Sequence, residues 1–201
     1  MDHYFSKSYD TKERFISYWH QIDEILKLNI FKCLDVGIGN GFVSKYLITR
    51  GINVITLDNN PNLNSNTIGS VLSIPFLNRS FDVVSCCQVL EHLPYQYFSK
   101  SLKELYRVSR RYVILSLPDH TPVYRFNIEL PKVKAIKKLI PHPFPKISHH
   151  EFDGVHHWII GKKNYPLKKI ETDLRLIGYK ILNSYRVWEF YGHRFFILEK
   201  I

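Results

Sequence analysis

The sequence predicts an α/β fold built on a mostly parallel sheet, and two observations carry that prediction. Short apolar runs at 31–36, 53–57, 81–87 and 112–117 alternate with segments whose apolar residues recur at helical spacing. Between the first run and the helix that follows lies Asp35-Val-Gly37-Ile-Gly39-Asn-Gly41, an acid and three alternate glycines. Such a loop falls at the C-terminal edge of a parallel sheet, where α/β proteins bind ligands.

Each element has its own warrant. A helix from about Thr11 to Leu28 carries Phe15, Tyr18, Trp19 and Ile22 at helical spacing. Phe31 to Val36 reads as a buried strand, and the helix opening at Phe42 presents Val43, Tyr46 and Leu47 on one face. Asn53 to Leu57 is a second strand ending at Asp58, and a short third strand is expected near Thr67. The strand Phe81 to Cys87 is followed by a helix from about Tyr97 to Ser109 and a fifth strand, Tyr112 to Leu117, which stops at Pro118. Pro166 opens a last helix that Gly178 closes, and β-rich runs follow at Tyr179 to Val187 and Phe195 to Leu198. About 200 residues without a dividing linker predict one domain over 1–201, with a cap helix at 11–28 and an insertion at 119–164.

The glycine spacing selects a cofactor class. A dinucleotide loop of the form Gly-x-Gly-x-x-Gly would place a glycine at position 42, where Phe42 stands. Missing side chains let backbone approach a ligand, and the following helix start offers amide hydrogens to an anionic group. Asp35 can hold a positive group by charge, and Asp58, at a strand end about twenty residues past the first glycine, can accept both hydroxyls of a ribose. Taken singly, these features also fit a tight strand-to-helix turn and an ordinary cap.

Together with Ser73-Ile-Pro-Phe76, Ser80-Phe-Asp-Val-Val84 and Gln88-Val-Leu-Glu-His-Leu-Pro94, the loop resembles the class I S-adenosylmethionine-dependent methyltransferases, of the type 11 kind. The resemblance covers about the first 118 residues. It implies a Rossmann-like sandwich, a seven-stranded sheet with an antiparallel final strand, helices on both faces, and S-adenosylmethionine as cofactor. It assigns cofactor contacts to Asp35, Gly37, Ile38, Gly39, Asn40, Gly41, Asp58, Asn59, Ser70, Val71, Leu72 and Gln88. Ser70 departs from the acid that many relatives use to bind adenine, so adenine recognition falls to backbone groups near Ser70 to Leu72. The cap helix lies across the pocket in related folds, which makes Tyr18 and Gln21 candidates for the cofactor carboxylate or the acceptor.

The insertion is where such proteins build acceptor pockets. Its segment Pro131 to Ile140 interleaves Val133, Ile136, Leu139 and Ile140 with Lys132, Lys134, Lys137 and Lys138, the pattern of a basic amphipathic helix suited to an anionic membrane. It also holds His149, His150, Glu151, Asp153, His156 and His157. Adjacent histidines point apart in extended chain, so no metal site is expected; His157 or His156 is the candidate general base, and His193 a further acceptor-side residue.

Composition narrows the partners. The formal charge is +10, and the last 83 residues carry fifteen Lys and Arg against eight Asp and Glu, which favours an anionic partner. Cys-Cys-Gln-Val after the fourth strand, in place of an Asn/Asp-Pro-Pro-Tyr clamp, and the lack of proline after Cys86 or Cys87 argue against a DNA base as acceptor. Cys33, Cys86 and Cys87 sit in apolar strands and fit a reducing, cytoplasmic setting, with no membrane span or secretory signal expected. The leading expectation is methyl transfer to an O or N atom of a small or lipid-linked acceptor. An RNA methyltransferase and a non-catalytic cofactor-binding scaffold are the alternatives.

Overall fold

A computed structural model describes residues 3–6, 8–132 and 135–201. Five strands run in parallel: β1 (Lys32–Val36), β2 (Asn53–Asp58), β3 (Thr67–Ile68), β4 (Phe81–Cys87) and β5 (Ser109–Pro118). The last two, β8 (Tyr179–Arg186) and β9 (His193–Lys200), complete a seven-stranded sheet in the order β3-β2-β1-β4-β5-β9-β8, in which β9 is antiparallel to both its neighbours. The expected fold class, with its antiparallel final strand, is what the chain adopts.

Strand alternation explains why helices cover both faces. Cys33, Val54, Val83, Ile114, Phe195 and Ile197 face one side and pack with α1 (Lys12–Leu26) and α2 (Phe42–Thr49). Leu34, Leu57, Val84, Leu115, Phe196 and Leu198 face the other, under α3 (Phe98–Val108) and α4 (Leu167–Ile177). The helices present matching stripes: Tyr18, Ile22 and Ile25 on α1, and Phe98, Leu102 and Leu105 on α3. Thr11 caps α1 by accepting from the Arg14 N–H at 3.2 Å, and Gly178 closes α4 in the left-handed region at φ 109°.

The insertion corrects one expectation. The segment read as a basic amphipathic helix holds β7 (Ile136–Pro141), which pairs antiparallel with β6 (Val123–Ile128) as a two-stranded sheet apart from the main one; Val133 and Lys134 lie outside the described residues. Ile136, Lys138 and Ile140 alternate in phase with Ile128, Phe126 and Tyr124, and this cross-strand partner decides the conformation over the helical spacing. The chain returns to the body at Trp158, which is fully buried against Phe98 and Tyr95 and donates from Nε1 to Leu93 O at 3.1 Å.

Where the insertion leaves β5, Asp119 is wholly buried and ties the end of the sheet together. Its carboxylate accepts from Arg194 Nε at 2.7 Å and from the Thr121 N–H at 2.8 Å, and lies 3.8 Å from Arg186 Nε. Removing the acid leaves two buried guanidinium groups uncompensated. Asp119→Ala should therefore lower unfolding free energy in urea by about 3–5 kcal/mol, and a loss below about 1 kcal/mol, the range of an exposed pair, would refute that role.

Candidate cofactor and acceptor cleft

Strand order reverses between β1 and β4, and the loops at their C-terminal ends diverge around a cleft of about 230 Å³. Its floor is the β1–α2 loop. Gly37 lies at φ 82°, and a Cβ there would stand 2.3 Å from Val89 Cγ2, so only glycine lets β1 and the β4 loop close on one another. Gly39 and Gly41 also have positive φ, at 54° and 74°. Of the three, Gly37 and Gly39 line the cleft, and Gly39 leaves the backbone bare there.

Two carboxylates flank the loop. Asp58 Oδ2 accepts from the Ile38 N–H at 3.0 Å and Oδ1 from the Asn60 N–H at 2.9 Å, which fixes the carboxylate at the strand end. Asp35 is buried, accepts a short hydrogen bond from Ser44 Oγ, and is pushed up to about 6 by its burial despite that bond. A cationic ligand group beside Asp35 would lower its pKa again and stabilise the carboxylate.

Beneath the cleft runs a buried polar chain. In the amide orientation that satisfies its neighbours, Gln88 donates to Glu91 Oε1 at 3.3 Å and to His193 Nε2 at 3.2 Å, and accepts from the Leu117 N–H at 3.2 Å. His193 Nδ1 then donates to Ser17 Oγ at 3.0 Å. Burial pushes the Glu91 carboxyl up to about 8 and the His193 imidazole down to about 3, so His193 is neutral through the physiological range.

Most residues expected at the cofactor line this cleft: Asp35, Gly37, Ile38, Gly39, Asn40, Asp58, Asn59, Ser70, Val71 and Gln88. So do Tyr18 and Gln21 from α1. Gly41 stands behind the loop as the start of α2, its N–H on Ile38 O, and Leu72 donates its N–H to Ser70 Oγ, so neither is among the lining residues. His193 lies a layer below, through Gln88. His157 is outside the lining: its ring stacks on Phe152 at 4.3 Å and its N–H donates to Glu91 O. His156 reaches the rim by stacking on His92 at 5.2 Å, and His92 itself lines the cleft.

Sequence reasoning placed α1 over the cleft and missed two further residues of its roof. Tyr4 and Tyr9 stand over the Gly39 position, at 3.8 and 3.6 Å from where its Cβ would be, and Arg14 lies over the Tyr9 ring at 4.2 Å. The signal was three aromatic residues, Tyr4, Phe5 and Tyr9, within the first ten positions.

A methyltransferase-domain family matches residues 34–116, the stretch that forms the glycine loop, Asp58 and the β4 loop. No curated protein sequence matches the chain. Among solved structures, a Pyrococcus horikoshii protein is 14% identical over 99% of this chain and 94% of its own, with a TM-score of 0.64. The Burkholderia thailandensis 1,6-didemethyltoxoflavin-N1-methyltransferase, holding 1,6-didemethyltoxoflavin and S-adenosylhomocysteine, is 13% identical over 95% of this chain and 79% of its own, TM-score 0.61. The Synechocystis magnesium protoporphyrin IX methyltransferase, with bound S-adenosylmethionine, is 17% identical over 94% and 79%, TM-score 0.59.

Two outcomes are expected. Calorimetric titration with S-adenosylmethionine should show Asp58→Ala weakened by about 1–3 kcal/mol through lost charge-assisted hydrogen bonds; Gly37→Ala should bind still less and recover in part with Val89→Ala. Unchanged affinity in a folded Asp58→Ala protein would remove that residue from the site. For His193, the folded state binds fewer protons than the unfolded between about 3 and 6.5. Its contribution to stability is thus complete above pH 6.5 and is lost as pH falls toward 3. His193→Asn should flatten that part of the melting-temperature profile; an equally steep acid loss would assign it elsewhere.

Proposed function

We propose that this chain, a class I S-adenosylmethionine-dependent methyltransferase, delivers its methyl group to an oxygen or nitrogen atom of a small, lipid-linked acceptor. When bound, the cofactor supplies an electrophilic methyl on a sulfonium that leaves as a neutral thioether. Asp58 would hold the ribose, Asp35 and the glycine-loop backbone the methionine part, and backbone groups near Ser70 the adenine. Tyr4, Tyr9, Arg14 and Tyr18 roof the cleft and exclude water, while Gln21 and His92 offer polar atoms that orient an acceptor. Such positioning supplies most of the barrier reduction in a displacement of this kind.

The observation that carries the lipid-linked reading is the outer face of the β6–β7 hairpin. Tyr124, Phe126, Ile128, Ile136 and Ile140 occupy one face with Lys138, and the five apolar side chains are between 39% and 54% exposed. The inner face is already used: Arg125 and Lys137 lie over the Trp188 ring at 4.4 and 4.9 Å. An exposed aromatic and aliphatic patch with a cation at its centre fits the interface of an anionic bilayer. Behind the hairpin, a second cavity of about 550 Å³ has apolar walls from Val123, Leu139 and Ile147 and cationic edges from Arg186 and Arg194. No helix among the described residues is long and apolar enough to cross a membrane, so attachment would be peripheral.

Co-sedimentation with vesicles rich in anionic phospholipid tests this reading. The parent should sediment, and Phe126→Asp with Ile136→Asp should lose at least tenfold in partitioning while keeping its S-adenosylmethionine affinity. Equal sedimentation of parent and variant would overturn the lipid reading, and retention on RNA with a steep salt dependence would put the RNA acceptor in its place.

A further inference from the structure

We propose that Glu91, His92 and His156 form a binding site for a divalent transition-metal cation at the rim of the cleft. One ligating atom from each of these three residues lies within 4.8 Å of the other two. Ligands ~2.1 Å from a tetrahedral ion lie about 3.4 Å apart, so the atoms must draw closer. The His92 and His156 rings, stacked at 5.2 Å and 29°, must also rotate to turn both lone pairs on the ion.

Three features are those of a built site. Glu91 is fully buried, and its Oε2 has no hydrogen-bond partner among the described residues, while Oε1 is engaged by Gln88. A buried carboxyl oxygen without a partner is costly, and a cation that displaces the acid proton would give it one. Next, His92 Nδ1 lies 2.9 Å from Val155 O, which can only accept. The proton therefore sits on Nδ1, and Nε2 keeps the lone pair a metal needs. Finally, His156 Nδ1 faces the Asp153 carboxylate at 3.6 Å, and that carboxylate is held by the N–H groups of Val155 and His156 at 2.9 and 2.7 Å. A carbonyl partner of this kind orients His92 as a ligand, while the Asp153 carboxylate stands beyond hydrogen-bond reach of His156 Nδ1 and acts on it by charge alone.

Two imidazoles and one carboxylate suit ions of the zinc, manganese or iron(II) class and leave coordination positions open. Because His92 also lines the cleft, an open position faces the acceptor. A cation there would polarise an acceptor oxygen or nitrogen, a role that rests on the methyl-transfer reading; cation binding itself does not. The expectation of no metal considered the neighbouring pairs His149–His150 and His156–His157; of the second pair, His156 stacks on His92 and His157 on Phe152. This cluster instead takes one histidine from each of two distant segments.

The test uses the full chain, stripped with chelator and titrated with Mn2+ and Zn2+ in the absence of S-adenosylmethionine, with bound Mn2+ read by electron paramagnetic resonance. One equivalent should bind per chain. Glu91→Gln and His156→Ala should each weaken binding by at least tenfold, and His149→Ala should leave it unchanged. No saturable binding by the folded parent, retained affinity in either of the first two variants, or an equal loss in His149→Ala would overturn the site. S-adenosylmethionine affinity measured in parallel separates a failed metal site from a failed cofactor site.

Discussion

A parallel sheet whose strand order reverses cannot close over the gap between the diverging connections, and this chain depends on how that gap is filled. β1 sends its connection to one face and β4 sends its own to the other, so the C-terminal ends of the two strands border a crevice. The β1–α2 loop must then pass beneath the β4 loop at van der Waals distance. Gly37 against Val89 is the point of closest approach, and Asp58 holds the loop from the side through the Ile38 N–H. These contacts leave the loop backbone at Gly37, Ile38 and Gly39 and a fixed carboxylate lining the cleft. A site that binds a polar cofactor is thus a consequence of backbone geometry before any specificity is added.

Beneath the crevice the interior is polar. Ser17, Ser85, Ser116, Asp35, Glu91 and His193 are all buried at the C-terminal end of the sheet, where a core would ordinarily be aliphatic. Buried polar atoms are tolerable only when paired, and the chain pairs most of them across elements: Ser17 of α1 with His193 of β9, Gln88 with Ser116 of β5. That arrangement couples the roof helix, the sheet and the β4 loop. The groups with shifted ionisation, Asp35, Glu91 and His193, fall in this layer because it is dry.

The sheet was legible because its strands are buried on both faces and read as short apolar runs, and because Asp35, the glycines and Asp58 fall at strand ends that spacing alone locates. The hairpin was not. Val133, Ile136, Leu139 and Ile140 satisfy a helical period, while Ile136, Lys138 and Ile140 satisfy a strand period equally well. What separates the two is a partner strand, Val123–Ile128, whose register appears only when both are laid side by side. His156 was hidden for a related reason: nothing local to it says that it will stack on His92, 64 positions earlier in the chain. Tyr4 and Tyr9 were passed over because their segment gave no period at all.

Formal charge also misleads about the acceptor. Several of the cations in the last 83 residues are already engaged by other groups of the molecule. Arg186 and Arg194 neutralise Asp119, Arg125 and Lys137 pack on Trp188, and Lys200 donates to Tyr106 O and Ser109 O. The outer strand face of the hairpin is mostly apolar, with Lys138 as its one cation among the described residues. A polyanion such as RNA needs a track of free cations at phosphate spacing, whereas a bilayer interface rewards buried apolar area and needs only a few charges. The distribution of charge, more than its sum, therefore supports the proposed lipid surface over RNA, and under that proposal acceptor choice would rest on the insertion while the cofactor is held at the sheet edge.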